Sequence, residues 1–585
     1  MSFGHSASVT ITETDLSASI PAEGGITAGI VFDAPKGSLD IQVIKNNRQF
    51  EDVYGTPTSI AHFSALAYLR GGSALLCKRV VNGALYGGVA VKTETSGSAN
   101  TGIVGVADPA SYNYSSNDCM LVTTQNPNAE AYAVTISYNR TLFGRGNDTV
   151  NSFTLPRMAG DYTNIIIEDS GNTVDSLSYN ISGNIITFNY SVNDGHALNC
   201  IFDEFYFTAW KKLGTNNYAM VDSPYFVSRI TNKKSEAGRN MYIEEVINNQ
   251  SIYVRVYDNQ LIDENVLPAE QLTPVDFTGG TSGNSVTFGD VIDGWDAFAN
   301  KKAVPVRLLI NAGYAAFDDT SVQVKMIEIA ELRKDCVAVL DMPLKDNGDS
   351  MSVQQMTDYS QLTLASSSSY ACIYTDYCKV YDSYADRELW VPPSGFAADV
   401  ISRTITQSFP WEAPAGLLRG GINCIELKTV FSETDPDTEN QLDDLQDARI
   451  NPIVLFPGSG KFIWGQRTLL GGSKATSRLN VRMLMLGIES WVGAYLEGVT
   501  FETHTAKLRA SVKSGIDKYL GGIKNKGGLY DYQVNCDATN NTPESIDRNE
   551  LYVDILVKPA RTVEYIKANF IIGSTGVSFS ELLSR

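Results

Sequence analysis

The segment Pro457-Gly458-Ser459-Gly460-Lys461 is where residue types and spacing in this sequence come nearest to a recognisable chemistry. The backbone N–H groups of a glycine-rich turn can cradle a phosphate, and a lysine beside them can balance its charge. The full phosphate-loop pattern fails at two positions: it requires glycine at 455 and serine or threonine at 462, where Leu455 and Phe462 stand. A tight hairpin turn accounts for the same residues. Other chemistries find no better footing. The four histidines (His5, His62, His196, His504) form no HExxH pair, and no serine stands in GxSxG. His62 lies in an apolar helical stretch and reads as a packed core residue. The glycines of FTGGTSGN do not make the dinucleotide-binding GxGxxG. The eight cysteines include no CxxC pair, and most sit in apolar strand-like runs, as Cys336 does in CVAVLDMP, so buried free thiols are expected. The sequence therefore assigns no catalytic residue, no metal ligand set and no cofactor, and the chain is not expected to be an enzyme.

Two charged segments remain. Between Glu433 and Asp447 there are seven acidic residues and no basic one, which reads as a solvated loop. A calcium loop starting at Asp435 would need glycine and glutamate at its sixth and twelfth positions, where Asn440 and Gln446 stand. The opposite bias runs from 505 to 528, where Lys507, Arg509, Lys513, Lys518, Lys524 and Lys526 face only Asp517. In a chain of net charge -20 such a segment is out of character. It reads either as an ordinary solvated helix face or as a docking surface for an acidic partner, with Lys507, Arg509 and Lys513 as its candidate residues. The overall negative charge argues against a general nucleic-acid surface.

The elements that carry these residues can be placed from periodicity. Val454 to Phe456 and Phe462 to Trp464 are apolar runs flanking the glycine turn, hence a β-hairpin. Leu484, Ile488, Trp491, Val492 and Tyr495 recur every three or four positions, which predicts a helix from Leu479 to about Gly498. Leu508, Val512, Ile516, Tyr519 and Ile523 predict a second, with Thr505 as N-cap and Gly527-Gly528 ending it. The period then becomes two, at Tyr530, Tyr532, Val534 and Cys536 and again at Leu551, Val553, Ile555 and Val557, with turn chemistry from Thr539 to Ser545 between them. Two paired strands covered by two helices make a compact α/β domain.

The whole chain, 585 residues of which 43% are hydrophobic, can bury several cores. We expect a multidomain α/β protein: an extended arm over 1–20, a core portion over 21–81, a β-rich insertion over 82–228, a mostly parallel α/β layer over 229–375, the C-terminal domain over 376–560 and a second arm over 561–585. The stretch MSFGHSASVTITETD has neither the basic nor the apolar region of a secretion leader, and no charge-free apolar run approaches a membrane span of about 20 residues. The chain is expected to be made and kept in the cytosol, without membrane insertion.

Several of these stretches carry a resemblance. INPIV…PG.GK..WGQRTL, LNVRML…IE and YQVNCDATNNTPESIDRNELYVDILVKPARTVEYI resemble the C-terminal domain of contractile tail sheath proteins of myophages and related phage-tail-like particles. TAGIVFDAPKG, FEDVYGTP, GGSALLCKRV and the PPSG turn with its following APA segment are similar to other parts of the same family. The resemblance implies a structural subunit that stacks on itself in hexameric rings around a tail tube. Baseplate and tail-terminator proteins would be its other partners, and contraction would drive the tube through the host envelope for genome ejection, with the subunit located in the virion. A bacteriocin-like particle or a cellular contractile injection system stays open as the setting, and a nucleotide-binding α/β enzyme is the distant alternative. Within the sheath reading, Lys507, Arg509 and Lys513 are expected to face the tube. The ends Ser6 to Leu16 and Ala560 to Ile572, through Val9, Ile11, Ile566 and Phe570, are expected to exchange strands between subunits beside the two C-terminal strands.

Overall fold

The computed structural model describes residues 26–96, 99–157, 165–432, 438–472 and 474–564. They fall into two compact units, one drawn from 26–30, 63–76 and 298–564, the other from 31–62 and 77–297. The arm residues Val9, Ile11, Ile566 and Phe570 lie outside the described residues.

The first unit is organised on a parallel sheet. Thr27–Asp33, Leu308–Ile310, Val337–Asp341, Ala371–Tyr374 and Ile450–Asn451 lie side by side in that order, each parallel to the next. Their side chains are buried on both faces, with Leu308, Leu309, Ile310 and the run Val337–Leu340 at 0% exposure, and this explains why these strands read as continuous apolar runs instead of alternating ones. Helices Ser321–Arg333 and Pro393–Gln407 pack on Val337–Asp341. The PPSG segment, expected as a turn, is the opening of the second of these helices: Pro392 is its N-cap and Pro393 its first residue, where a missing N–H costs nothing. Gly395 is required there by close approach, since a Cβ would stand 2.3 Å from the Ser64 carbonyl oxygen.

Asp341 ends the central strand and is fully buried. It accepts hydrogen bonds from Gly313 N–H (2.8 Å), Ser394 N–H (2.6 Å) and Ser394 O–H (2.8 Å), so it ties a strand end and the first turn of Pro393–Gln407 to the preceding loop. Burial pushes its carboxyl up to about 6, against the opposing pull of these donors.

The second unit is antiparallel and β-rich. Its spine is the pair Tyr132–Arg145 and Ala197–Gly214, which serves two cores. One gathers Val122, Ile136, Phe205, Phe207 and Val256; the other gathers Ile167, Ile186, Phe188 and Phe202. Antiparallel pairing continues past residue 228, the expected end of the insertion: Val254–Asp258 joins Asp118–Thr124, and Gln271–Asp276 joins Tyr132–Arg145. These later strands return to partners more than a hundred positions earlier, which local periodicity does not reveal. His62 is a core residue as expected: its ring packs against Phe32 and Phe50, its Nδ1 accepts from Thr58 N–H, and burial lowers it to about 4. All eight cysteines are free thiols, seven buried and Cys424 half-buried.

Candidate interaction site

Two helices and two strands at the end of the chain form the region to which sequence pointed. Helix Leu479–Glu497 ends at Gly498, and helix Ala506–Asn525 starts from Thr505, whose side chain accepts from Leu508 N–H at 3.1 Å. Val512, Ile516, Leu520 and Ile523 of the second helix meet Leu484, Ile488 and Val492 of the first, with Trp491 stacked on Tyr519 at 3.9 Å between ring centroids. The helix stops where Gly527 takes φ 84°, a conformation that glycine adopts without strain.

Strands Leu529–Asn535 and Asp554–Pro559 pair antiparallel and complete this core through Val534 and the half-buried Tyr532, Ile555 and Val557. Among the described residues no third strand joins them, so both outer edges carry unpaired backbone groups. Leu556, on the outward face opposite Gln533, is 55% exposed. The second strand begins at Asp554, later than the expected Leu551. Asn541 explains the difference: it accepts from Tyr552 N–H (2.8 Å) and donates to Tyr552 O (2.9 Å), so a side chain takes the bonds that a ladder would have used. The TNNTPES stretch holds a short helix, Pro543–Asp547, capped by Thr542.

Of the candidate basic residues, Lys507 is exposed and Arg509 and Lys513 are half-buried. Arg509 and Lys513, one turn apart, both act on Asp537 beyond the strand end; its carboxyl is held below the usual range first by bonds from Thr539 and then by these two cations. Lys507 is two positions from Arg509, roughly 200° round the helix, so the three do not share one face. Lys524 pairs with Asp531 at 2.9 Å. The acids that temper this helix thus come from the following strand and loop. The PGSGK segment is a hairpin turn between Ile453–Phe456 and Gly460–Ile463, and Lys461 Nζ donates to the carbonyls of Cys424 (2.8 Å) and Ile425 (2.9 Å). A lysine committed to two carbonyls is not poised for a phosphate.

The last described residues, Ala560 to Glu564, are tied down. Arg478 grips Glu564 with Nε at 2.5 Å and Nη2 at 2.6 Å, and Gln466 donates to Thr562 at 2.6 Å. Gln466 belongs to the WGQRTL run and Glu564 to VEYI. Their proximity had no sequence signal, since the partners stand 86 and 96 positions apart.

One comparison with known proteins falls on this region. Residues 474–573 match a family model described as the phage tail sheath C-terminal domain. The tail sheath protein of Enterobacteria phage T4 is 33% identical over 361 residues, covering 58% of this chain and 54% of that protein. That of Vibrio phage KVP40 is 30% identical over 400 residues, covering 63% and 57%. The chain therefore spans a little over half the length of these curated relatives. A sheath tail protein of Listeria innocua, known from its crystal structure, shares the fold at a TM-score of 0.51 and 10% identity, over 93% of this chain and 97% of that one.

Proposed function

Because the chain is related to the contractile tail sheath proteins of phages, a structural family, we propose that it is the subunit that polymerises as stacked hexameric rings around a tail tube. In this reading the rings shorten on a baseplate signal and drive the tube through the host envelope for genome ejection. The work is done by rearranging subunits, with the energy stored at assembly, and no catalytic step is required. The observation that carries the proposal is the two-stranded sheet that no third strand joins among the described residues, from whose end the chain runs to the Glu564 anchor. A sheet of that size is marginal alone and recruits strands. Arms from neighbouring copies, through Val9 and Ile11 at one end and Ile566 and Phe570 at the other, would supply them. About four to six added backbone hydrogen bonds at roughly 1 kcal/mol each make a link that holds when repeated round a ring and still turns as a hinge.

The 82–228 segment would decorate the outside, and the basic helix would face an acidic tube, where weak exposed pairs can release during contraction. Tail-terminator and baseplate proteins would cap the two ends of the stack. The subunit would assemble in the host cytoplasm and reside in the virion; among the described residues no helix is long and apolar enough to cross a membrane. Negative-stain microscopy of the concentrated protein tests the proposal: hollow cylinders form without tube or nucleotide. Deleting residues 1–20 leaves the melting temperature unchanged and abolishes them, and a wild-type protein that stays monomeric at every salt and concentration refutes the reading.

A further inference from the structure

Beside the Glu564 anchor lies a cleft of about 720 Å³, built from the region 446–481 and the segment 559–564. Arg449, Arg467, Lys474, Arg478 and Arg561 line it, against the acids Asp447 and Glu564, a net of three positive charges in a chain of net charge -20. Its chemistry is demonstrated internally: Arg478 holds the Glu564 carboxylate through two nitrogens, the fork geometry that suits arginine to carboxylates. Capacity is left over. Lys474 and Arg561 are exposed and have no ion pair among the described residues.

We propose that this cleft receives the acidic segment Glu433–Asp447 of a second copy of the chain. That segment has seven carboxylates and no base. Asp443 and Asp444, on helix Thr438–Asp447, are exposed and do not line the cleft of their own copy. The other candidate occupant, the stretch from 565 to 585, lacks the complementary charge, having Lys567, Glu581 and Arg585 as its only charged residues. Gln446 and Asp447, at the end of the segment, line the cleft of their own copy, while Asp443 and Asp444 stand outside it. A cleft that takes these two from another copy makes a head-to-tail contact that repeats from copy to copy, as a ring or helical stack requires. Charge pairs of this kind set register and weaken with salt. The inference rests on the sheath reading and adds a contact independent of strand exchange.

The test is a charge swap. Lys474→Glu with Arg561→Glu, and separately Asp443→Lys with Asp444→Lys, each leave the melting curve of the monomer unchanged and raise the concentration needed for cylinders by roughly tenfold or more. Combining the four substitutions restores assembly towards the wild-type concentration. Should reversal unfold the protein, Lys474→Gln with Arg561→Gln carries the same test with a smaller shift in the same direction. Cysteines placed at 474 and 444 crosslink copies in assembled cylinders and not in dilute monomer. Assembly of either reversed pair at the wild-type concentration, or no gain from combining them, overturns the proposal while wild-type cylinders leave the sheath reading intact. Absence of wild-type cylinders brings down both.

Discussion

The parallel sheet around Val337–Asp341 and the two-stranded sheet of Leu529–Asn535 with Asp554–Pro559 are made by the same unit and treat solvent in opposite ways. In the first, every residue of the central strand is buried and the one charge at its end is satisfied by three donors. In the second, only Leu529 and Val534 are buried, and backbone groups on both edges are unpaired among the described residues. A sheet closed on both faces can lose stability but has no surface to offer a partner. A sheet left open closes the helical core with its inner face alone, and its edges are free to accept strands from another chain. Substitutions in the two should therefore separate folding from assembly, and the effect on the isolated subunit should fall steadily from the closed sheet to the open one.

The largest effect belongs to the closed sheet. Leu309 is 0% exposed between two parallel neighbours, so Leu309→Ala costs about 2–5 kcal/mol, read as a lower thermal midpoint of the dilute subunit. Assembly then declines because folded subunits become scarce, and it recovers on cooling.

Asp341→Asn comes next, at about 1–3 kcal/mol, because an amide nitrogen must face donors at Gly313 or Ser394 and leaves them without an acceptor. Its pH dependence has a definite sign. The carboxyl sits at about 6 when folded, above its ordinary 3.8, so the native state binds the proton more tightly. The stability contributed by the protonated group is full below about 3.8 and is lost as pH rises through 6. The wild-type advantage over Asp341→Asn thus shrinks between pH 4 and pH 7, as melting curves at matched ionic strength would record. A gap that widens over that range would contradict the burial account.

Thr505→Ala tests the frame beneath the open sheet. Losing the side-chain acceptor for Leu508 N–H costs about 1 kcal/mol. That cap was legible in the sequence, as were both long helices and the parallel layer, because each follows from a local pattern: a polar residue before a period of 3.6, or an unbroken apolar run. What escaped involved partners distant in sequence. Ser394 meets Asp341 across 53 positions and Arg478 meets Glu564 across 86, and neither pair has a spacing that marks it. The start of the last strand was misplaced because Asn541 competes for the backbone of Tyr552, a choice that alternation cannot express. The acidic stretch, expected as a loop, is helical from Thr438 to Asp447 because Leu445 and the following Ala448 are buried, two apolar residues that its charge obscured.

The smallest effect on the subunit should come with the greatest effect on assembly. Leu556 is 55% exposed on the outward face of a strand whose inner neighbours Ile555 and Val557 already complete the core. Replacing it with lysine removes no buried contact, so the melting temperature of the dilute protein should move by no more than about 0.5 kcal/mol equivalent. A lysine there would also place a strongly hydrated charge where an arriving strand must lie, the device by which exposed sheet edges ordinarily discourage pairing. If arms from other copies complete this sheet, Leu556→Lys should form no cylinders at protein concentrations where Thr505→Ala, the less stable subunit, still forms them. Electron microscopy of the two variants side by side reads the result. Normal cylinders from Leu556→Lys would mean that the open sheet is not where neighbouring copies join, whatever else holds the rings together.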